Sequence, residues 1–351
     1  MLVRRLLAGF LVMAVAVCLA IPVLAQEKDK GKEKDKEKIK DKDPVKKEDP
    51  VKTSGDKVSI KWKFDKDKTF YQKMVTTTVQ QMKVMNNDVN QTQKQTFFFS
   101  FKPTAVAADK VTIEQTIIGV AMDIEIGGTK ISYDSTKDQT ANNPLGEFFK
   151  ALIGSKFTID IDPKDNKVTK VEGRDAFIAK LVAANPQMKP LLETILSAEA
   201  LKEMAEPTFA VVPAKEVAKG DKWERSSKLD MGPIGKYDNK YNYVYEGPDA
   251  ADKTLQIIKV DTKLEYKEPG DVAGAGGLPF KIKSAKLKSS NPVGMIKFST
   301  TKGRLESSVT KLELKGDLQI EIGGQNTTVT LSQTQDSTIT TMDDDPTAKK
   351  K

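Results

Sequence analysis

The sequence predicts a mainly β protein of the α+β class: one large, curved antiparallel sheet or half-barrel with a short helical insert. Three observations carry this. From Val58 onward apolar residues recur mainly at every second position, threonine is dense in the same stretches, and helical spacing is concentrated in residues 174–206. Parallel strands would need helices interleaved throughout, so the strands are expected to run antiparallel.

The chain divides into four parts. Residues 1–25 read as a secretory signal peptide, with Arg4 and Arg5 ahead of the apolar run Leu6–Leu19 and the small-residue cleavage site Val23-Leu24-Ala25. An uncleaved anchor is the other reading, because Leu6 to Ala25 is close to the length that spans a bilayer. With cleavage, no transmembrane segment remains. Residues 26–57 form a tether carrying 12 Lys against 10 acids, too poor in apolar groups to offset the entropy of ordering, and are expected to be disordered. Residues 58–342 form a single β-rich body, and residues 343–351 a disordered tail. Signal and tether account for half of the net +8. The tether's interleaved signs lack the single-sign field that nucleic acid requires, so no nucleic-acid partner is expected.

Composition then excludes chemistry. The chain has no histidine, which removes Ser-His-Asp triads, Cys-His pairs and His-ligated zinc. Its one cysteine, Cys18, lies in the segment expected to be removed, so the mature chain would hold no disulfide and no thiolate nucleophile. No cofactor motif is present. The acids Asp160, Asp162 and Asp165 fail as a calcium loop, because the sixth and twelfth positions hold Asp165 and Val171 instead of Gly and Glu. They read as the turn of a hairpin joining Phe157–Ile161 to Lys167–Val171. Lys302-Gly303 reads as the turn of another.

Along the body, Ile60, Trp62 and Phe64 alternate with polar residues. Tyr237, Tyr241, Tyr243 and Tyr245 share one face, and Val329 and Leu331 another. The Thr- and Gln-rich runs around Thr76–Gln81 and Asn326–Thr341 suggest long strands with one solvated face. In the insert, Phe177, Ile178, Leu181 and Val182 form one helical stripe over Arg174–Ala184. Asn185-Pro186 reads as an N-cap and first helical residue for a second stripe, Leu191, Leu192, Ile195 and Leu196. Ser197 is expected to cap a third short helix, with Leu201 and Met204 inward and Pro207 ending it. A further short helix is expected at Leu145–Ile153.

The two sides of the insert echo one another. Phe99–Pro103 followed by Ala108-Asp109-Lys110 parallels Tyr243–Pro248 followed by Ala251-Asp252-Lys253, and both lead into Ile-Ile-x-Val, at Ile117 and at Ile257. In each case the alternation slips by one residue, the signature of a β-bulge, expected in the strands at Ile117/Ile118 and Ile257/Ile258. The echo is either a duplication, giving two related meanders joined by helices, or a chance recurrence in β-rich sequence. Ile124–Gly128 also recurs as Ile320–Gly324 and reads as a shared turn.

The order of an apolar helix pair, the stretch Phe209–Pro213, and Lys215–Trp223 with Val217, Gly220, Asp221 and Trp223 resembles a group of exported bacterial proteins, planctomycete-type, known only as a domain of unknown function. That resemblance covers roughly Val58 to Met342 and implies no activity and no site residues. The expected architecture is also similar to the unclosed half-barrels of periplasmic lipoprotein carriers, whose helices lid a hydrophobic cavity. This is a likeness of fold alone.

These observations favour an exported, non-catalytic protein of the periplasm, cell surface or medium that binds an apolar ligand, a lipid or acyl chain, in its curved sheet. Candidate ligand contacts are Phe177, Ile178, Leu181, Leu191, Leu192, Ile195, Leu196 and Met204, although plain core packing is the first reading of each. The alternative is a structural or protein-interaction module of the envelope that presents Thr/Gln strands on a charged tether. A carboxylate-based hydrolase is the remote alternative, since acids are abundant but no local motif supports it.

Overall fold

The structure, a computed structural model, describes residues 56–84, 87–137, 146–270, 278, 280–290 and 293–348. The signal segment, all but the last two residues of the tether, and the end of the tail lie outside them.

Alternation becomes one 13-stranded antiparallel sheet that does not close. In chain order its elements are β1 (Phe70–Val84), β2 (Asn87–Val106), β3 (Val111–Ile126), β4 (Thr129–Asp134), α1 (Gly146–Leu152), β5 (Lys156–Asp162) and β6 (Lys167–Glu172). Helices α2 (Arg174–Ala184), α3 (Lys189–Ile195) and α4 (Ala198–Phe209) follow. The second half holds β7 (Lys222–Asp230), β8 (Lys236–Pro248), β9 (Leu255–Lys267), β10 (Lys281–Ser290), β11 (Val293–Ser299), β12 (Arg304–Ile322) and β13 (Gln325–Met342).

The first and last strands meet at the centre, where β1 pairs with β13 from Tyr71↔Met342 to Val84↔Val329. The order runs β6-β5-β3-β2-β1-β13-β12-β11-β9-β8-β7, with β4 beside the far half of β3 and β10 beside the far half of β12. The middle of the chain therefore supplies both edges, and the helical insert crosses from one edge to the other. One core cluster joins Met82 and Phe97 of one half, Leu229, Tyr237 and Leu264 of the other, and Leu181 and Leu192 of the helices. The sheet thus wraps its inner face around the insert.

At one end, β3–β4 and β12–β13 turn through Gly127-Gly128 and Gly323-Gly324, with nearly identical positive φ values of 55° and 81° and of 57° and 81°. Only glycine occupies two such positions in succession at little cost, which is why the same Ile-Glu-Ile-Gly-Gly string serves both hairpins.

Five expectations need correction. The Thr/Gln strands do not reserve their polar residues for solvent: Thr76, Thr78, Gln93, Gln95, Gln335 and Ser337 face inward and are buried, while Thr330, Thr338 and Thr340 face out. Gln95, Thr76, Ser337 and Thr310 lie side by side across four strands. Hydrogen bonds make the burial of several tolerable, as in Thr76 Oγ1 to Ser337 Oγ at 3.1 Å and Gln93 Nε2 to Gln95 Oε1 at 3.1 Å, whereas Thr310 Oγ1 is buried without a partner among the described residues.

The first bulge is where the slip placed it: Phe98 faces Gly119 and Phe99 faces Ile117, leaving Ile118 as the extra residue. The second is not in β9. Gln256, Ile258, Val260, Thr262 and Leu264 alternate inward without a break, and the extra residue is Glu246 of β8, between the pairs Tyr245↔Ile258 and Gly247↔Ile257. Leu255 and Ile257 are half-buried on the outer face, and their apolarity imitated a slip.

In the insert, Asn185 makes no side-chain cap. Pro186 opens a 3₁₀ turn over Pro186–Met188, and α3 starts at Lys189. Ser197 does cap α4, accepting from Ala200 N at 3.1 Å, but the helix runs two residues past Pro207. A proline in a last turn forfeits one backbone bond without ending the helix at once. Finally, Asp343 and its neighbours are not a loose tail: Asp343 pairs with Arg304 at 2.7 Å and Lys302 at 2.9 Å, and Thr347 lies against Gly119.

Candidate functional site

The inner face of β2 carries phenylalanine at period two. Phe97, Phe99 and Phe101 stand in a row on β2, with Phe97 stacked on Phe99 at 5.7 Å between centroids. Phe157 of β5 and Phe177 of α2 meet edge to face at 5.1 Å. Phe209 ends α4, within 5.7 Å of the Trp62 ring. These six side chains, with Met74 of β1 and Met204 of α4, wall a cavity of about 150 Å³ between the helices and the sheet. Three neutral polar side chains also line it: Gln72, Gln115 and Thr208. No charged side chain lines it among the described residues.

Helix α4 forms the roof and spans the open seam. Its Glu206 accepts a hydrogen bond from Val168 N of β6 at 2.5 Å, and its Glu203 accepts one from Lys228 N of β7 at 2.9 Å. Those strands are the two ends of the sheet, so one helix satisfies a backbone donor on each unpaired edge. Burial pushes the Glu206 carboxyl above its ordinary range, and nearby Glu203 and Asp165 add to the rise, against the pull of the Val168 amide. Beyond the helix, side chains take up carbonyls that have no helical partner: Trp62 Nε1 donates to Phe209 O at 2.9 Å and Trp223 Nε1 to Val211 O at 3.1 Å.

The second flank is built on the same plan and filled differently. Tyr237, Tyr241, Tyr243 and Tyr245 all point inward from β8 and are buried. Tyr243 stacks on Trp223 at 5.4 Å, and Ile60, Val211, Val212 and Val217 pack over the lower tyrosines. Burial raises the Tyr241 hydroxyl to about 12 and pushes Tyr243 higher still. Only about 20 Å³ is left open beside Tyr241 and Tyr243, bounded also by Gln72, Thr208 and Ile339, which line the larger cavity as well.

Of the contacts expected from sequence, Phe177, Leu196 and Met204 line the cavity. Ile178, Leu181, Leu191, Leu192 and Ile195 do not; they are buried core. Sequence reasoning missed the wall contributed by Phe97, Phe99, Phe101 and Phe157. Its signal was present in the run Phe97-Phe98-Phe99 with Phe101, an aromatic stripe at strand spacing. The hairpin acids act as turn caps, with Asp162 accepting from Lys164 N and Asp165 from Lys167 N. Among the described residues, no group of three or more His, Cys, Asp or Glu is placed to hold a metal. Nor is any helix among them long and apolar enough to cross a membrane.

Residues 108–303 match a family of unknown function, DUF6263. No curated protein matches the sequence. Among solved structures, a lipovitellin described for its lipid–protein interactions superposes with a TM-score of 0.43 at 8% identity, over 82% of this chain. This chain spans only 27% of that protein's length. DynF, from the dynemicin biosynthesis pathway of Micromonospora chersina, gives a TM-score of 0.18 at 9% identity over 84% of this chain and 92% of its own. The β domain of the Bordetella autotransporter BrkA gives 0.19 at 7% identity over 77% and 98%.

Proposed function

The chain belongs to this family of unknown function, and on that premise we propose that it is an exported, non-catalytic envelope protein that binds an apolar ligand beneath α4. The aromatic cavity of about 150 Å³ carries this reading. Protein cores are packed with few voids larger than a water molecule. The space is half open to solvent, so a ligand entering it would cover apolar wall that otherwise faces water, a gain of about 25 cal/mol per Å² covered. Its volume is below the roughly 300–1,000 Å³ of sites for drug-sized ligands and matches a benzene-sized guest. A ring or the end of an acyl chain fits as the helices stand.

Export rests on the segment 1–25, with its basic start, apolar run and small-residue site. A non-catalytic role is supported by the absence of histidine from the chain and by the commitment of Glu206 to Val168 N. The interaction-module alternative draws less support, because half of the Thr/Gln surface it would present faces inward.

The test is native mass spectrometry and solvent extraction of the chain purified from cells, beside an Ala205→Met variant. Ala205 lies on the cavity wall, and the larger side chain would occupy the space. An apolar species that accompanies the wild type and is lost from the folded variant is the expected result. Equal recovery from both would defeat the proposal. Cell fractionation tests export independently, and a cytoplasmic chain of full length would overturn it.

A further inference from the structure

Among the described residues there are three arginines, and two of them have a carboxylate partner. Arg174 pairs with Asp175 at 2.8 Å, and Arg304 with Glu306 at 2.8 Å and Asp343 at 2.7 Å. Arg225 does not. It stands half-buried on the inner face of β7, between Trp223 and Ser227, and makes no ion pair among the described residues. Its hydrogen bonds go to backbone carbonyls and are long, Nη1 to Glu224 O and Nη2 to Val212 O, both at 3.3 Å. Its Nε is buried and donates to no group among the described residues. The acids at the seam are committed elsewhere, Asp165 to Lys167 at 3.0 Å and Glu203 to Lys228 N at 2.9 Å. A guanidinium drawn out of water with no counter-charge is costly to a fold.

Its position relates it to the cavity. Arg225 lies directly opposite Tyr241 in the β7–β8 ladder, so the two side chains are neighbours on the inner face. Tyr241 lines the space of about 20 Å³ that shares Gln72, Thr208 and Ile339 with the aromatic cavity. The cation therefore stands at the tyrosine end of the apolar site, outside its larger chamber.

We propose that the site takes a carboxylate-bearing amphiphile, such as a fatty acid, with its apolar part against the phenylalanines and its carboxylate on Arg225. This deepens the apolar-ligand reading and rests on it. The planar guanidinium fork matches the two oxygens of a carboxylate, and the bonds formed are charge-assisted. The two long bonds to carbonyls are weak enough to be exchanged for such a pair. The larger cavity has no charged lining among the described residues and suits the apolar part alone.

Titration calorimetry of the full chain at pH 7.5 with decanoate, decanol, decyl phosphate and decyltrimethylammonium, each below its micelle concentration, tests this directly. Decanoate should bind about tenfold more tightly than decanol, the effect of a charge-assisted hydrogen bond. The cationic amphiphile should bind more weakly than either. In Arg225→Met, decanoate should lose its advantage while decanol is unchanged. Arg225→Lys, which keeps the charge and loses the fork, should retain part of it, and the ligand series in the wild type stands if either variant unfolds. Decanoate no tighter than decanol, or an advantage that survives Arg225→Met, would overturn the inference and leave the apolar site standing. Decyl phosphate binding more tightly than decanoate would overturn the assignment to a carboxylate. Binding of none of the four would overturn both readings.

Discussion

The two flanks of the sheet are built alike and filled differently. Each presents a long hairpin with a bulge in its ladder, β2–β3 at Ile118 and β8–β9 at Glu246, and each aims a row of aromatic rings inward. On one flank the row is Phe97, Phe99 and Phe101. On the other it is Tyr237, Tyr241, Tyr243 and Tyr245. Tyr241, Tyr243 and Tyr245 pack under Ile60 and the segment Val211–Val217 with about 20 Å³ left open beside them, whereas the phenylalanine flank faces α4 across a space of about 150 Å³. The difference lies less in the strands than in what covers them. Close-fitting chain segments lie on one side, and a helix held at the seam by two carboxylates on the other.

The sharpest way to break this comparison is to truncate one ring on each flank. Tyr243→Ala should cost about 3–5 kcal/mol, as is usual for an aromatic ring lost from a packed core. Phe99→Ala should cost about 1–2 kcal/mol, because that ring is half-buried and one side of it already borders a void. Urea unfolding measures both, and equal losses would mean that the two flanks are equally filled in solution.

A smaller effect is expected at the seam. Glu206→Ala should cost about 1–2 kcal/mol by leaving the Val168 amide unpaired under the helix, and Glu203→Ala less, since Lys228 sits on an exposed edge. Thermal melts in which Glu203→Ala proves the costlier would reverse the assignment of the main anchor. Next, Ala205→Met should stabilise the empty protein by about 0.5–1 kcal/mol through filling the void. A destabilised variant would indicate that the space is too narrow or already occupied.

The smallest effect is a pH slope. Burial raises the Glu206 carboxyl in the folded protein, so folding binds its proton more tightly and the contribution of this group to stability grows as pH falls from neutral through the raised value. Asp343 behaves in the opposite way. Lys302 and Arg304 lower it, so its stabilisation is present above the ordinary carboxylate value and is lost as pH falls through the lowered one. The melting temperature of wild type minus that of Glu206→Gln, followed from pH 7 to 4.5, should therefore rise toward acid. A flat difference would remove Glu206 from the account.

Much of this fold was legible in the sequence, because alternation is a local property. The turns at Asp162–Asn166, Lys302-Gly303 and the two Gly-Gly pairs, the bulge at Ile118, and the cap at Ser197 all follow from residues within a few positions of one another. The bulge at Glu246 was misplaced because Leu255 and Ile257 are apolar residues on an outer face, and pattern alone does not say which face is which. The cavity was only half legible for a related reason. The helical stripes identified Phe177, Leu196 and Met204, but the stripes do not say whether a buried residue meets a neighbour or a gap. That depends on Phe97, Phe99 and Phe157 arriving from strands far away in the chain. The pairing of Glu203 and Glu206 with opposite edges of the sheet has no sequence signature, since it requires knowing that β6 and β7 are the edges.

That pairing has a consequence for how molecules of this protein meet one another. A sheet that stops without closing leaves rows of unpaired amides and carbonyls, which are templates for a strand from a second chain. Here the amides of Val168 and Lys228 are already taken, α4 lies between the two edges, and exposed lysines stand on both, Lys167 and Lys170 on β6 and Lys222 and Lys228 on β7. A strand approaching either edge would have to displace the helix and bring its backbone past those lysines. Toward its neighbours, a sheet open in topology is thereby guarded against end-to-end polymerisation where the helix crosses its two edges.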